Sequence, residues 1–193
     1  MKAVVTGGAG FLGSHLCDKL IKTGNQVICI DNLLTGSMQN ISHLRDNPNF
    51  KFINHDVVQP LSEDFLADQI YHLASPASPN KNSPKSYHAH PFETMEVNTI
   101  ATWRLCEFGI KNSAKFLFAS TSEVYGDPLE HPQKETYRGN VSTTGSRSIY
   151  DEAKRFGETI TAAFVRDRSL NGRIIRIFNT YGPRMALDDG RVV

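Results

Sequence analysis

Apolar residues along this chain gather in short, nearly unbroken runs: KAVVT at 2–6, QVICI at 26–30, KFIN at 51–54, QIYHLA at 69–74, KFLFAS at 115–120 and RIIRIF at 173–178. Runs of this length, bounded by Gly, Pro, Asn or Asp, predict strands buried on both faces. Between them the spacing turns helical. Leu12, Leu16 and Leu20 recur every fourth residue within 11–23, and Gly24 supplies the stop. A short helix is expected at 38–45 and long ones at 92–111 and 150–167. Two segments interrupt the alternation. Residues 75–91 carry Pro76, Pro79, Pro84 and Pro91, and residues 126–148 are rich in Gly, Pro, Thr and Ser; both read as loops.

Strand–helix alternation without internal repeats or low-complexity tracts predicts an α/β protein, a doubly wound parallel sheet of the Rossmann type. Ligands of such sheets bind across the carboxyl ends of the strands. Connections in these domains usually run about 2–6 residues, so two long loops after strands are expected to serve the site.

Composition changes this picture little. The 193 residues carry a net charge of +1 and are 39% hydrophobic, enough for one substantial core. No basic excess points to nucleic acid or an anionic membrane, and no apolar run approaches the ~20 residues that span a bilayer. Met1 leads directly into strand-like sequence, which leaves no room for a signal peptide. Cys17, Cys29 and Cys106 are scattered and lack CxxC spacing, as expected of small buried hydrophobes in a reducing cytoplasm.

The first strand and first helix are joined by Gly7, Gly10 and Gly13 in GxxGxxG spacing. Glycines there allow a tight turn and close approach of a pyrophosphate to the free N–H groups of the helix. Asp31 ends the second strand eighteen residues beyond Gly13, where an acid binds ribose hydroxyls and repels a 2′-phosphate. Asn32 and Leu33 offer no arginine for such a phosphate, so the motif predicts NAD rather than NADP. Asp31 read alone is also a turn acid. Asp56 and Val57, after the third strand, either contact the adenine or cap the strand.

Tyr150 and Lys154 stand four apart in YDEAK, on one face of a predicted helix. A free tyrosine has a pKa of about 10, which a neighbouring lysine and a cationic nicotinamide would lower toward that of a usable base. Lys154 also suits the nicotinamide ribose. A lone YxxxK is common by chance; here a glycine loop and a strand ending in Thr121, Ser122 and Glu123 accompany it.

GGAGFLGSHL, IDNLLTG, HLASPASP, STSEVYGDP, YDEAKR and RIFNTYGPRM, with DGRVV close behind, together resemble the extended short-chain dehydrogenases that modify nucleotide sugars. Within that group they are similar to the UDP-glucuronate decarboxylases, and the resemblance runs through the whole chain. It implies an NAD-dependent enzyme that oxidises the sugar at C4, loses CO₂ from the β-keto acid and returns the hydride. It implies Thr121, Glu123, Tyr150 and Lys154 as the catalytic group. Glu123 would assist C5 protonation, hold the sugar, or serve only as a structural carboxylate. Related dehydratases carry Thr-Asp-Glu where this chain has Thr-Ser-Glu. A serine hydroxyl is too weak an acid to protonate a leaving hydroxide, so Ser122 argues against water elimination.

The same resemblance implies that Phe11, Leu12, Leu73, Ala74 and Ser75 line the cofactor site, and that Pro76, Ala77, Ser78 and Ser122 line the sugar site. Lys85 and Tyr87 either meet a carboxylate or phosphate or belong to a solvated loop. Asn179 and Arg184 are candidates for the UDP-sugar and its phosphates; Arg184 is equally suited to a structural pair. His88 and His90 have metal-like spacing without a third ligand, and the family uses no metal. Trp103 is expected in the core or on a dimer surface, since the family dimerises through the helices near 92–111 and 150–167. Residues 1–178 would form the NAD-binding domain and 179–193 the start of a substrate region, largely missing here, that continues in the family as a smaller domain. The alternatives are a nucleotide-sugar 4,6-dehydratase, a 4-epimerase, or an NAD-binding module without catalysis.

Overall fold

β1 (Lys2–Thr6), β2 (Gln26–Asp31), β3 (Phe50–Asn54), β4 (Gln69–His72), β5 (Lys115–Thr121) and β6 (Asn171–Ile177) pair in parallel in the computed structural model, which describes residues 1–61 and 65–186. Their order is β3-β2-β1-β4-β5-β6. The chain starts at the centre, winds outward to β3, crosses back to β4 and winds the other way. The reversal between β1 and β4 leaves a crevice at the strand ends.

The unbroken apolar runs are explained by the two faces of the sheet. Within β1, Ala3 and Val5 point to one side, where they pack with Val27, Cys29, Cys17 and Leu20 of α1 (Phe11–Lys22). Val4 points to the other, into a core with Ile70, Phe116 and Phe118, with Val97, Ala101 and Leu105 of α2 (Pro91–Lys111), and with Ile160 and Phe164 of α3 (Ser148–Arg168). Both faces are covered, so alternation of direction leaves no alternation of polarity.

Several expectations shift. Residues 38–45 form two 3₁₀ turns, Met38–Asn40 and Ser42–Leu44, rather than one helix. Ser37 Oγ accepts from Gln39 N at 3.3 Å and Ser42 Oγ donates to Gln39 O at 3.1 Å, side-chain bonds that compete with helical ones. β4 ends two residues early because the chain turns to lay Ala74 against Gly7. Trp103 is not core: it is 48% exposed, its edge against Phe164 at 5.1 Å between centroids. The three cysteines are free and buried. Burial pushes the Cys106 thiol up to about 12.

Residues 179–186 dock on α1: the Pro183 carbonyl lies 2.9 Å from His15 Nε2, and Arg184 pairs with Asp18. DGRVV lies outside the described residues. Among the described residues no helix is long and apolar enough to cross a membrane, and no group of side chains is arranged to hold a metal ion.

Candidate active site

A continuous groove of about 1060 Å³ runs along the carboxyl ends of the strands. Over β1–β3 it is lined by Gly7, Gly10, Phe11, Leu12, Gly13, Asp31, Asn32, Asp56 and Val57. Leu73, Ala74, Ser75, Tyr150 and Lys154 line it further on, together with Pro76, Ala77, Ser78, Lys85, Tyr87, Thr121, Ser122, Glu123, Asn179 and Arg184. The fold thus brings every candidate residue to one surface.

The glycine loop is built by contact. Gly7 has φ +72°, and a Cβ on it would sit 2.7 Å from the Ala74 backbone. A Cβ on Gly13 would lie 2.1 Å from the Gly7 carbonyl oxygen. Gly10 starts α1 with no side-chain cap and no acidic residue in the first turn, while Lys19 and Lys22 occupy the last. The first-turn N–H groups therefore face the groove with the helix dipole favouring an anion.

Asp31 is both turn acid and groove residue. Its carboxylate accepts from Ala9 N at 3.0 Å and from Leu33 N at 2.8 Å, which ties the end of β2 to the glycine loop. Burial raises its pKa above the ordinary carboxylate value, and those two N–H groups oppose the rise. Asp56 likewise caps a turn, accepting from Val58 N at 2.9 Å, and takes the Asn32 amide at 3.3 Å.

At the end of β5, Thr121 is extended and buried, and its Oγ1 accepts from Glu123 N at 3.3 Å. That contact leaves the hydroxyl proton available to a ligand oxygen. Ser122–Tyr125 forms one 3₁₀ turn, which turns Ser122 and Glu123 to the groove. Tyr150 and Lys154 come from successive turns of α3. Lys154 Nζ is fully buried, donates to the Ala119 carbonyl at 2.7 Å, and lies 5.8 Å from the Tyr150 ring centroid. Burial lowers its pKa to about 7, against the opposing charge of Glu158.

Arg184 lines the groove and is also held by Asp18 of α1 at 2.7 Å. Tyr87 belongs to no solvated loop: it is 1% exposed, and its ring stacks on Tyr150. His88 packs beside Tyr87 and His90 Nε2 lies 2.8 Å from the Pro84 carbonyl, in agreement with a loop role.

Other residues of the site went unread in the sequence. Arg147, three residues before Tyr150, ion-pairs with Glu123. Glu158, one turn beyond Lys154, accepts from Ser120 Oγ at 2.6 Å and from Arg176 through two bonds of 2.9 and 2.7 Å. This network anchors the end of β5 to α3. Helical spacing puts Glu158 four residues beyond Lys154, whereas Arg147 falls in the segment read as a loop, and nothing in the sequence named their partners. Beneath the site, Thr6 Oγ1 donates to His72 Nδ1 at 2.7 Å, and His72 Nε2–H donates to the Val97 carbonyl at 3.0 Å. Burial first, and then the Lys154 charge, lower the His72 pKa to about 3.

A glycine cradle at the switch point with a Tyr–Lys helix beside it defines a dinucleotide-dependent enzyme fold. Residues 3–193 match the NAD dependent epimerase/dehydratase family, and the chain belongs to it. Its cofactor is NAD, and the uncapped helix start and the Gly7–Gly13 cradle fit that group. Among curated relatives, the chain is 55% identical over 193 residues to UDP-glucuronic acid decarboxylase 1 of Arabidopsis thaliana. It is 49% identical over 192 residues to UDP-glucuronic acid decarboxylase 1 of Xenopus tropicalis. These matches cover 100% of the chain but 43% and 44% of the relatives, so the chain spans less than half of their length. Among solved structures it is similar to the dTDP-glucose 4,6-dehydratase DesIV of Streptomyces venezuelae, with TM-score 0.84 and 26% identity over 96% of this chain and 58% of that one. It is also similar to a UDP-glucose 4-epimerase of Thermotoga maritima, with TM-score 0.77 and 32% identity over 95% and 57%.

Proposed function

We propose that this chain is the NAD-binding part of an enzyme that decarboxylates UDP-glucuronate to UDP-xylose through a 4-keto sugar. One observation carries the reading: Thr121, Glu123, Tyr150 and Lys154 converge on one groove whose strand end presents the hydroxyl of Ser122 and no acid at that position. The identity to UDP-glucuronic acid decarboxylases over the whole chain supports it.

Gly7, Gly10 and Gly13, with the backbone of Phe11 and Leu12, would hold the diphosphate of NAD, Asp31 and Asn32 the adenosine ribose, and Lys154 the nicotinamide ribose. Held there, NAD would supply a reversible acceptor for the C4 hydride. Tyr150 takes the proton from the C4 hydroxyl, and Thr121 donates to the same oxygen. Once CO₂ leaves the β-keto acid, these two groups face the enolate oxygen and stabilise its charge. Lys154 favours tyrosinate in its charged form, which burial opposes by lowering its pKa to about 7. Ser122 leaves the C6 side without an acid, which decarboxylation does not require.

The enzyme is further proposed to be a cytoplasmic homodimer. Phe92, Met95, Ile100 and Trp103 of α2 and Phe156 and Val165 of α3 are exposed large apolar residues on the paired helices, a surface suited to a second copy. Free buried thiols fit a reducing compartment.

The test is incubation of the chain with NAD⁺ and UDP-glucuronate. Release of CO₂ with UDP-xylose, and no lasting absorbance of reduced nicotinamide, is expected. A 4-keto-6-deoxy sugar or a C4 epimer as product would overturn the reading.

A further inference from the structure

Arg147 has no part in the chemistry above, yet three segments of the site meet on it. It precedes α3 and stands three residues before Tyr150, so its guanidinium and the phenol project from neighbouring turns. It ion-pairs with Glu123, from the turn that follows β5. Its Nε lies 3.9 Å from the buried carboxylate of Asp151. The Tyr87 hydroxyl, buried and lacking a hydrogen bond of good geometry, lies close to the same guanidinium. His88, beside Tyr87 on the same loop, also feels its charge, and Asp127 and Glu152 surround Asp151.

With two carboxylates on it, this guanidinium is already neutralised and poorly suited to capture an anionic ligand. It is well suited to fix a carboxylate, because its planar fork restricts direction as well as distance. We propose that Arg147 is a positioning residue: it holds the Glu123 carboxylate at a fixed place relative to Tyr150, so that Glu123 orients the water that protonates C5. The proposal rests on the decarboxylase reading for the identity of C5, but its geometry does not. In the step concerned, the C5–H bond forms from one O–H bond of that water to the enolate carbon, and bulk solvent protonates the hydroxide left behind. A fixed acceptor presents the water to one face of the ring.

The first measurement is the titration of the Glu123 side-chain carboxyl in the full chain by ¹³C NMR, assigned by its loss in Glu123→Gln. Removing an opposite charge within hydrogen-bond reach raises a carboxyl midpoint by about one pH unit or more, so Arg147→Met is expected to move Glu123 up by that amount. Arg147→Lys, which keeps the charge, recovers part of the shift and guards against a folding defect in the methionine variant. A midpoint that is the same in all three proteins overturns the proposal. The second measurement is turnover of UDP-glucuronate in D₂O. Arg147→Met is expected to lose about tenfold or more in kcat with KM changed less than about threefold, as for a misplaced group, and to give mixed deuterium configuration at C5. Wild-type kcat with a single configuration also overturns it. No turnover by the wild-type chain leaves the carboxyl titration to decide the proposal.

Discussion

The ring of Tyr87 lies flat on that of Tyr150, with 5.0 Å between centroids and 10° between planes. A residue of the proline-rich loop is thus the wall behind the proposed base. Tyr87 is among the largest fully buried side chains of the protein. Tyr87→Ala is expected to cost about 3–5 kcal/mol of stability, as other large aromatic truncations do, and to lower kcat by loosening Tyr150. Tyr87→Phe keeps the stack and removes a hydroxyl with no well-formed hydrogen bond, so it should cost less than about 1 kcal/mol. Urea unfolding of the two variants checks the contrast; equal losses would sink it.

The three glycines of the first loop are unequal. Added methyl groups at Gly7 and Gly13 would meet backbone atoms at 2.7 and 2.1 Å, whereas at Gly10 the nearest contact is 3.1 Å. Gly7→Ala and Gly13→Ala are expected to abolish measurable NAD⁺ binding by calorimetry. Gly10→Ala should leave the fold intact and weaken binding less. A Gly13→Ala protein that binds like the wild type would refute this account of the cradle.

His72 couples the fold to acid. Its pKa is depressed to about 3 in the folded protein, against about 6.5 when unfolded. Below pH 6.5 the unfolded chain takes up a proton that the folded one refuses, so stability falls with falling pH from 6.5 toward 3. The slope for this group approaches ~1.4 kcal/mol per pH unit. His72→Gln should flatten the dependence of the urea midpoint on pH in that window, though it lowers stability at neutral pH by disturbing the Thr6 and Val97 bonds.

Lys154 follows the same sign at higher pH and trades stability for function. Its pKa is lowered to about 7 by burial, so between pH 7 and the unfolded value of about 10.4 the unfolded chain holds more protons, and stability rises with pH. The cost of burying the charge is greatest below pH 7. Lys154→Met is expected to abolish turnover while gaining thermal stability relative to wild type, more at pH 6 than at pH 9. A gain that does not shrink as pH rises would contradict the burial argument.

The exposed apolar stripe gives a test of assembly. Trp103→Glu or Phe156→Glu places a charge where a second copy would bury it, and sedimentation should find a monomer with an unchanged fold. A wild-type chain that sediments as a monomer would remove the proposed dimer.

Much of the fold was legible because its rules are local or periodic. The apolar runs at 2–6, 26–30 and 115–120 are strands since both faces of the sheet are covered, and GxxGxxG is read by its place between a strand and a helix. The segment 38–45 departs from its predicted helix because serine side chains compete for its backbone, a balance that apolar spacing does not report. Trp103 was ambiguous because a helix face looks the same whether its partner is its own core or another molecule.

The sequence by itself determined the parallel α/β architecture, the tight glycine turn of Gly7 and Gly13, and the pairing of Tyr150 with Lys154, since each follows from spacing along the chain. Only the tertiary structure decided that Arg147 holds Glu123, that Tyr87 backs Tyr150, that Glu158 bridges Ser120 and Arg176, and that Arg184 belongs to Asp18. Those partners lie 24, 63, 38 and 18, and 166 residues apart, and the choice of a charge's partner is made by the distances that packing of the sheet, helices and loops imposes.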